Sequence, residues 1–363
     1  MRSEDLAKLL GVSRSTISRV INNYPDIPQA TRDKVWKAIE EYNYVPNASA
    51  RKLAGIRNNM IAIFVLDVKE GSVPHHLKTT DDTLIYNNPF FSSIINAVSD
   101  QANKLDYYVL ISIVYSKEDF KKVENVFSQK MIDGAIFVGT EETDNEFLCK
   151  LIEKDYYLAL IDSNETHTNH NTLYVNANNY EGSCRAVSYL VNLGHERIGM
   201  VTGNLKKLSA MERLEGYKDT LKKYKLPIDE NFIYHGDFME SSGYHGAKYI
   251  LSQQNPPTAL LLGNDTMAVG AYKAANELGF NIPDDISIIG FDNAIFSQYL
   301  SPPLTTIEMP FAKLGKRAAI LLIDLIEQKK QNEMVKRLKV NLIERASCSR
   351  KSNGDKFNTP TLL

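Results

Sequence analysis

The chain has 363 residues, 43% of them hydrophobic and 24% charged, with a net charge of −2. That length suits two or three soluble domains, and no run of 18 apolar residues is present to cross a membrane. Cys149, Cys184 and Cys348 show no C-x-x-C spacing, which argues against a zinc knuckle or a disulfide framework and for reduced thiols in the cytoplasm. The N-terminal "MRSEDLAKLL" has no apolar core of a signal peptide. Charge is uneven: residues 1–57 carry a net +4 and the remainder −6, a basic head on an acidic body.

The head contains three short amphipathic patterns. Leu6, Leu9 and Leu10 predict a first helix, with Ser3 as its expected N-cap, and Gly11 breaks it. Ser13 is an N-cap candidate for a second helix whose apolar stripe is Ile17, Val20 and Ile21. Arg14, Ser15, Ser18, Arg19 and Asn22 fall on the opposite face. The third helix is expected around Val35, Ala38, Ile39 and Tyr42. Two helices joined through a tight glycine turn form the helix-turn-helix arrangement, and its polar, cationic second helix suits the major groove. Ser13 and Thr16 are placed for that helix's N-terminus and for phosphate oxygens. The stretch "VPNASARKLAG" predicts a helix too short to be stable alone, either one that folds on DNA and places Leu53 as a wedge between base steps or a linker that happens to be helical.

"DLAKLLGVSRSTISRVIN" and "TRDKVWKAIEEYNYVPNASARKLAG" resemble the headpiece and hinge of the LacI/GalR family of bacterial transcriptional repressors. The resemblance puts Arg14, Ser15 and Arg19 at base-reading positions, and Asn47, Ala50 and Leu53 on the hinge helix. Arg2 and Pro28 stand where the family usually has capping Thr or Ser.

The body alternates apolar strands with amphipathic helices: "MIAIFVLD", "YYVLISIV", "GAIFVG" and "YLALID", then, after a restart, "TLYVN", "RIGMVTG", "FIYHGD", "ALLLGND" and "ISIIGFD". Helices are expected over 117–130, 180–193, 213–224, 243–252 and 266–278. The fold class is therefore α/β. About eleven strands exceed one comfortable open sheet, so the prediction is two doubly wound parallel-sheet lobes. Asp162, Asp237, Asn264, Asp265 and Asp292 close strands, where ligands bind in such sheets. Asp265 is expected to cap the next helix instead. Phe90, Phe91 and Phe238 could stack on an apolar ring face; with the acids and amides they suggest a sugar. Nucleotide-binding, nucleophile-elbow and zinc-helix motifs are absent, so neither an enzyme nor a cofactor or metal site is expected. His75 and His76 are expected to be solvated, and His195 to be structural.

"LGHERIGMVTG", "ERLEGY", "NDTMAVGAYKAANELGFNIPDDISIIGFDN" and "SPPLTTIEMP" extend the resemblance to the family's effector core, similar to periplasmic sugar-binding proteins. It implies effector contacts at Phe91, Asp162, Arg213, Phe238, Asn264 and Asp292. The implied organisation is a headpiece over 1–45, a hinge over 46–57, an effector and dimerisation domain over 58–347, and a disordered tail over 348–363. A final helix and the strand "VKRLKVNLIER" would close the lobes. Residues 68–87 form an insertion relative to the family, either over the cleft mouth, near a dimer face or as a surface loop.

The implied protein is a cytoplasmic, nucleoid-associated homodimer that binds a double-stranded operator and a small sugar effector. Alternatives are a global carbon-catabolite regulator, a purine-type corepressor-dependent member of the family, or a sugar receptor without DNA function. Operator binding by the full chain is expected to weaken steeply with salt. A slope of log affinity against log salt near zero would remove the DNA reading.

Overall fold

The computed structural model describes residues 3–21, 24–42, 44, 57–66, 89–139, 145–164, 169–329 and 335–351. Two compact units are present, residues 1–60 with 125–133, and residues 61–124 with 134–363.

In the first unit, helices α1 (Ser3–Leu10), α2 (Arg14–Ile21) and α3 (Gln29–Glu41) enclose Leu6, Leu10, Ile17, Val20, Val35 and Ala38. These are most of the apolar stripes of the sequence, but Leu9 and Tyr42 of the expected stripes are exposed instead; each helix is held by the other two rather than by its own short length. Gly11 takes φ +62 in the turn after α1, and the Val12 amide donates to the Ala7 carbonyl. Ser3 is the first helical residue of α1, not a residue before it. Helix α3 begins after Pro28, whose side chain offers no cap; Arg32 Nε instead donates to the Ile27 carbonyl at 3.0 Å and fixes the entering loop.

The second unit has two lobes. The first lobe's sheet comprises β1 (Met60–Leu66), β2 (Tyr108–Val114), β3 (Gly134–Val138), β4 (Leu158–Ile161) and β5 (Thr172–Ala177), joined by a late strand, β11 (Val335–Leu338), in the order β11-β5-β4-β3-β1-β2. The second comprises β6 (Ile198–Thr202), β7 (Ile233–His235), β8 (Ala259–Leu262), β9 (Ser287–Asp292), β10 (Thr305–Glu308) and β12 (Asn341–Ile343), in the order β12-β10-β9-β8-β6-β7. Strand β1 runs parallel to β3, β3 to β4, β4 to β5 and β5 to β11. In the second lobe β7, β6, β8, β9 and β10 are parallel in turn, whereas β12 is antiparallel to β10. Strands such as β1, β3 and β8 are buried along nearly their whole length, as expected of sheets covered on both faces.

Helices α4 (Pro89–Lys104), α5 (Phe120–Ser128), α6 (Asn145–Glu153), α7 (Asn179–Asn192), α8 (Leu208–Lys223), α9 (Glu240–Leu251), α10 (Asp265–Glu277) and α11 (Phe311–Ile326) lie between strands. Helix α6 and strand β10 go beyond the expected elements. Both are short, and β10 sits in the Pro-rich stretch "SPPLTTIEMP", which reads as a loop by local chemistry. Helix α8 starts five residues before the expected 213, which brings Lys207 and Ser209 into its first turn.

The expected single strand "VKRLKVNLIER" is two. β11 pairs parallel with β5 in the first lobe, and β12 pairs antiparallel with β10 in the second, because the chain changes lobes between them. The chain also changes lobes after β5 and again between β10 and α11, the latter packing on α4, β3, β4 and β5. Three crossings therefore join the lobes.

The expected tail does not begin at 348. Cys348 Sγ donates to the Ile288 carbonyl at 3.3 Å, and the Ser349 carbonyl meets His195 Nε2 at 3.1 Å. Residues 352–363 lie outside the described residues. His195 is buried between Ser349 and Thr258, and burial lowers its pKa, which fits a structural histidine.

Helices α9 and α10 touch through facing glycines. A Cβ at Gly243 would lie 2.0 Å from the Met267 carbonyl, and one at Gly270 would lie 2.1 Å from the Glu240 carbonyl. Gly243→Ala should destabilise the second unit by about 1–3 kcal/mol, since backbone on the partner helix must move. A denaturant midpoint equal to that of the wild type would refute this close packing.

Candidate functional site

In the first unit, Ser13 Oγ accepts the Thr16 amide at 3.0 Å, which caps the N-terminus of α2. The same hydroxyl lies 2.6 Å from Ser15 Oγ and 2.8 Å from Thr16 Oγ1. Arg14, Ser15 and Arg19 are exposed, while Ile17 and Val20 are buried behind them. Arg14 donates to Glu4 Oε1 at 2.8 Å. Arg19 pairs with Asp26 and stands over the Tyr24 ring at 5.5 Å. Exposed pairs of this kind contribute little, so phosphate or base acceptors can displace the carboxylates. Asn22, Asn47, Ala50 and Leu53 lie outside the described residues, as do His75, His76 and the insertion 68–87.

In the second unit a cavity of about 50 Å3 opens between the lobes. The six residues implied as effector contacts all line it: Phe91, Asp162, Arg213, Phe238, Asn264 and Asp292. Lys207, Ser209, Asn179 and Phe311 line it as well and were not legible. For Lys207 and Ser209 the missed signal was the true start of α8. For Phe311 it was the third dimension, since its ring meets Phe90 edge-on at 5.1 Å. Asp237 does not line the cavity; its Oδ1 accepts the Met239 amide in a local turn.

The first lobe supplies an aromatic wall. Phe90 meets Phe91 edge-on at 5.0 Å, besides Phe311. The second lobe supplies polar groups around Arg213, which is only 4% exposed. Arg213 Nε donates to Asn179 Oδ1 at 3.0 Å, a second nitrogen donates to the Gly263 carbonyl, and a third lies 3.7 Å from Asp292 Oδ1. Its guanidinium stacks 3.8 Å above the Phe291 ring. Phe238 faces the same cavity, its ring lodged where a Cβ at Gly203 would stand 2.0 Å from it.

Three of these residues have left-handed backbones: Asp162 (φ 56), Phe238 (φ 73) and Asp292 (φ 120). Such conformations cost roughly 1–3 kcal/mol each in non-glycine residues and cluster at functional sites. Burial raises the pKa of Asp162, opposed by its hydrogen bond from Ser209 and by the charge of Arg213. Burial raises Asp292 well above the carboxylate range, opposed by Arg213. Arg213 is itself lowered by burial, opposed by Asp292 and Asp162.

Asp265 is not the expected helix cap. Asn264 occupies that position, its Oδ1 accepting the Met267 amide at 2.8 Å while its Nδ2 donates to the Phe238 carbonyl at 3.1 Å. Asp265 is fully buried and accepts from the Ala294 amide at 2.8 Å, Ser297 Oγ at 2.5 Å and Thr306 Oγ1 at 2.6 Å. It thereby ties α10 to β10 and to the segment after Asp292. The sequence places Asp before a helix in either role; only the neighbours of the folded chain separate them.

A helix-turn-helix headpiece and a two-lobed body with a polar-aromatic cleft define a DNA-binding regulator with a small-molecule site. The family model for bacterial regulatory proteins, lacI family, matches residues 4–47, and that for the periplasmic binding protein-like domain matches residues 187–348. The probable HTH-type transcriptional repressor ExuR of Bacillus subtilis (strain 168) is 33% identical over 328 residues, covering 90% of this chain and 91% of that protein. The HTH-type transcriptional repressor PurR of Klebsiella pneumoniae (strain 342) is 31% identical over 349 residues, covering 95% and 96%. The lac repressor dimer bound to operator and the anti-inducer ONPF is 28% identical, covers 95% of this chain and 98% of that one, and superposes with a TM-score of 0.75. The chain belongs to the lacI family of bacterial regulatory proteins.

Burial pushes Asp265 up to about 6, against the hydrogen bonds it accepts. An unfolded Asp titrates near ~3.9, so from about pH 4 to about pH 6 the folded chain keeps a proton that the unfolded chain has released. Asp265 therefore stabilises the fold below this window and loses that contribution as pH rises through it. Relative to wild type, Asp265→Asn should gain up to about 3 kcal/mol between pH 4 and 6. Urea midpoints of the two proteins that keep a constant separation across these pH values would contradict the assignment.

Proposed function

We propose that the chain is a homodimeric transcriptional repressor whose affinity for a double-stranded operator is switched by a small sugar held between the lobes. The observation that carries this reading is the division of the cleft. Aromatic rings Phe90, Phe91 and Phe311 stand on one lobe, and Arg213, Asp292 and Asn179 stand on the other with Phe238. A sugar ring has an apolar face for the rings and hydroxyls for the charged groups, whose hydrogen bonds are the stronger kind. A cavity of about 50 Å3 is below the roughly 300–1,000 Å3 of typical ligand sites, so entry requires the lobes to part.

Arg14, Ser15 and Arg19 would read base edges, with Ser13 and Thr16 on phosphates. Asn22 would extend this face. Asn47, Ala50 and Leu53 would serve the hinge in the minor groove. A two-fold dimer would match a pseudo-palindromic operator. Support for the dimer comes from Ile295 and Tyr299, each 77% exposed on the second lobe, and from the dimeric state named for the lac repressor structure. Such a protein would work at the nucleoid in the cytoplasm. Closure around the sugar would alter the pose of the first lobes within the dimer, a coupling typically worth about 1–3 kcal/mol.

The test is a thermal-shift panel of mono- and disaccharides on the full chain and on Asp292→Ala, with operator fragments selected from a random DNA pool by the wild type. At least one sugar should raise the wild-type melting temperature and release the DNA, as a ligand binding only the native state must stabilise it. Asp292→Ala should bind the fragment within a few-fold of wild type yet lose the sugar response. A variant that still responds would overturn the cleft assignment.

A further inference from the structure

We propose that the Glu212–Arg337 ion pair is a cross-lobe brace that sets how far the cleft stands closed, and with it the affinity of the cleft for its ligand. Glu212 lies on α8 of the second lobe, one residue before Arg213. Arg337 lies on β11 of the first lobe, paired with Asn176 of β5 and two residues before the third crossing. A guanidinium nitrogen of Arg337 donates to Glu212 Oε1 at 2.6 Å. The pair thus joins the residue next to the central cation of the cleft to the strand that leads into the hinge.

Two other bonds from the same stretch of chain bridge the lobes. Lys207 Nζ donates to the Gly139 carbonyl at 2.8 Å, and Ser209 Oγ donates to Asp162 Oδ2 at 2.7 Å. All four of those residues line the cavity, so a ligand competes for their polar atoms. Glu212 and Arg337 do not line it. A bound ligand therefore does not compete for their bond, which re-forms when the lobes close and acts on closure alone.

The pair is a poor device for stability. The Glu212 side chain is 12% exposed and that of Arg337 38%, so charge is withdrawn from water at a cost that attraction only partly repays. Glu212 Oε2 is buried, with Asn179 near the carboxylate, and burial adds a desolvation penalty. Burial accordingly raises the Glu212 pKa, opposed by Arg337. An ion pair placed between two lobes under these conditions is explained by what it does to their relative movement. Opening the lobes separates the partners, so the bond exists only in the closed state. A protein without it has a smaller closed fraction, and its apparent ligand affinity falls by the same factor.

The hinge offers a direct readout. The Asn178 amide, at the first crossing, donates to the Leu338 carbonyl at the third at 2.9 Å, beside Arg337. The Met309 amide, at the second crossing, donates to the Asp292 carbonyl at 3.2 Å. Both bonds lie at the ends of strand pairs where the chain leaves a lobe, so faster exchange of these amides is the expected sign of opening, whereas the Leu260 amide in the core of β8 reports the intact fold.

The brace presupposes that the cleft is the ligand site, but its test needs no ligand, so the two can fail separately. Hydrogen exchange is measured on the full chain as wild type, Glu212→Gln, Arg337→Gln and the double variant. Each single change should speed exchange at Asn178 and Met309 about three- to tenfold and leave Leu260 unchanged. The double variant should be no faster than the faster single one, because the bond they share is already lost in each. Should Arg337→Gln loosen Leu260, Arg337→Lys replaces it, and by keeping the cation it should restore wild-type exchange at the hinge. Unchanged hinge exchange in Glu212→Gln, or single effects that multiply in the double variant, would overturn the brace.

Discussion

A guanidinium buried between two lobes is the constraint on which the body of this protein depends. Arg213 cannot shed its proton, so each of its nitrogens must find an acceptor where water is scarce. The chain supplies Asn179, the Gly263 carbonyl and the Asp292 carboxylate, and it lays the flat face on Phe291. Those acceptors come from the ends of β5, β8 and β9. Arg213 therefore draws strand ends together and specifies where the floor of the cleft lies. The left-handed backbones of Asp292 and Phe238 are the accompanying distortion, and the buried Asp265 braces the segment that follows Asp292.

The lobes around that charge differ in chemistry. The first presents phenylalanine rings, the second presents charged and amide groups, and three chain crossings join them. Polar contacts bridge them: Lys207 to Gly139, Ser209 to Asp162, and Glu212 to Arg337. These contacts are polar, in contrast to the apolar packing within each lobe. A ligand that adds a handful of hydrogen bonds can thus shift the balance, and a large rearrangement of either core is unnecessary.

The headpiece solves a different problem with the same economy. Its core is small, and its reading face is polar. Arg14 and Arg19 rest on Glu4 and Asp26. These exposed pairs contribute little to stability. The net charge of +4 on residues 1–57 contrasts with the −6 of the remainder.

Periodicity was enough to place the three headpiece helices and the parallel two-lobed body. Acids at strand ends, together with the family resemblance, singled out six residues that line the cleft. The physical signals are local ones: an apolar stripe, a continuous apolar strand, an acid where a strand stops. Local patterns failed where a residue's role depends on a distant neighbour. Asp237 and Asp292 both end strands, yet one makes a local turn and the other faces Arg213. Asp265 sits where a cap belongs, and only contact with Ser297 and Thr306 from 32 and 41 residues away makes it an internal brace. "VKRLKVNLIER" has one continuous pattern, and the change of lobe within it is invisible until β5 and β10 are in place to pair with its halves. The brace between Glu212 and Arg337 spans 125 residues of chain, and long-range proximity of that kind is a property of the packed lobes alone.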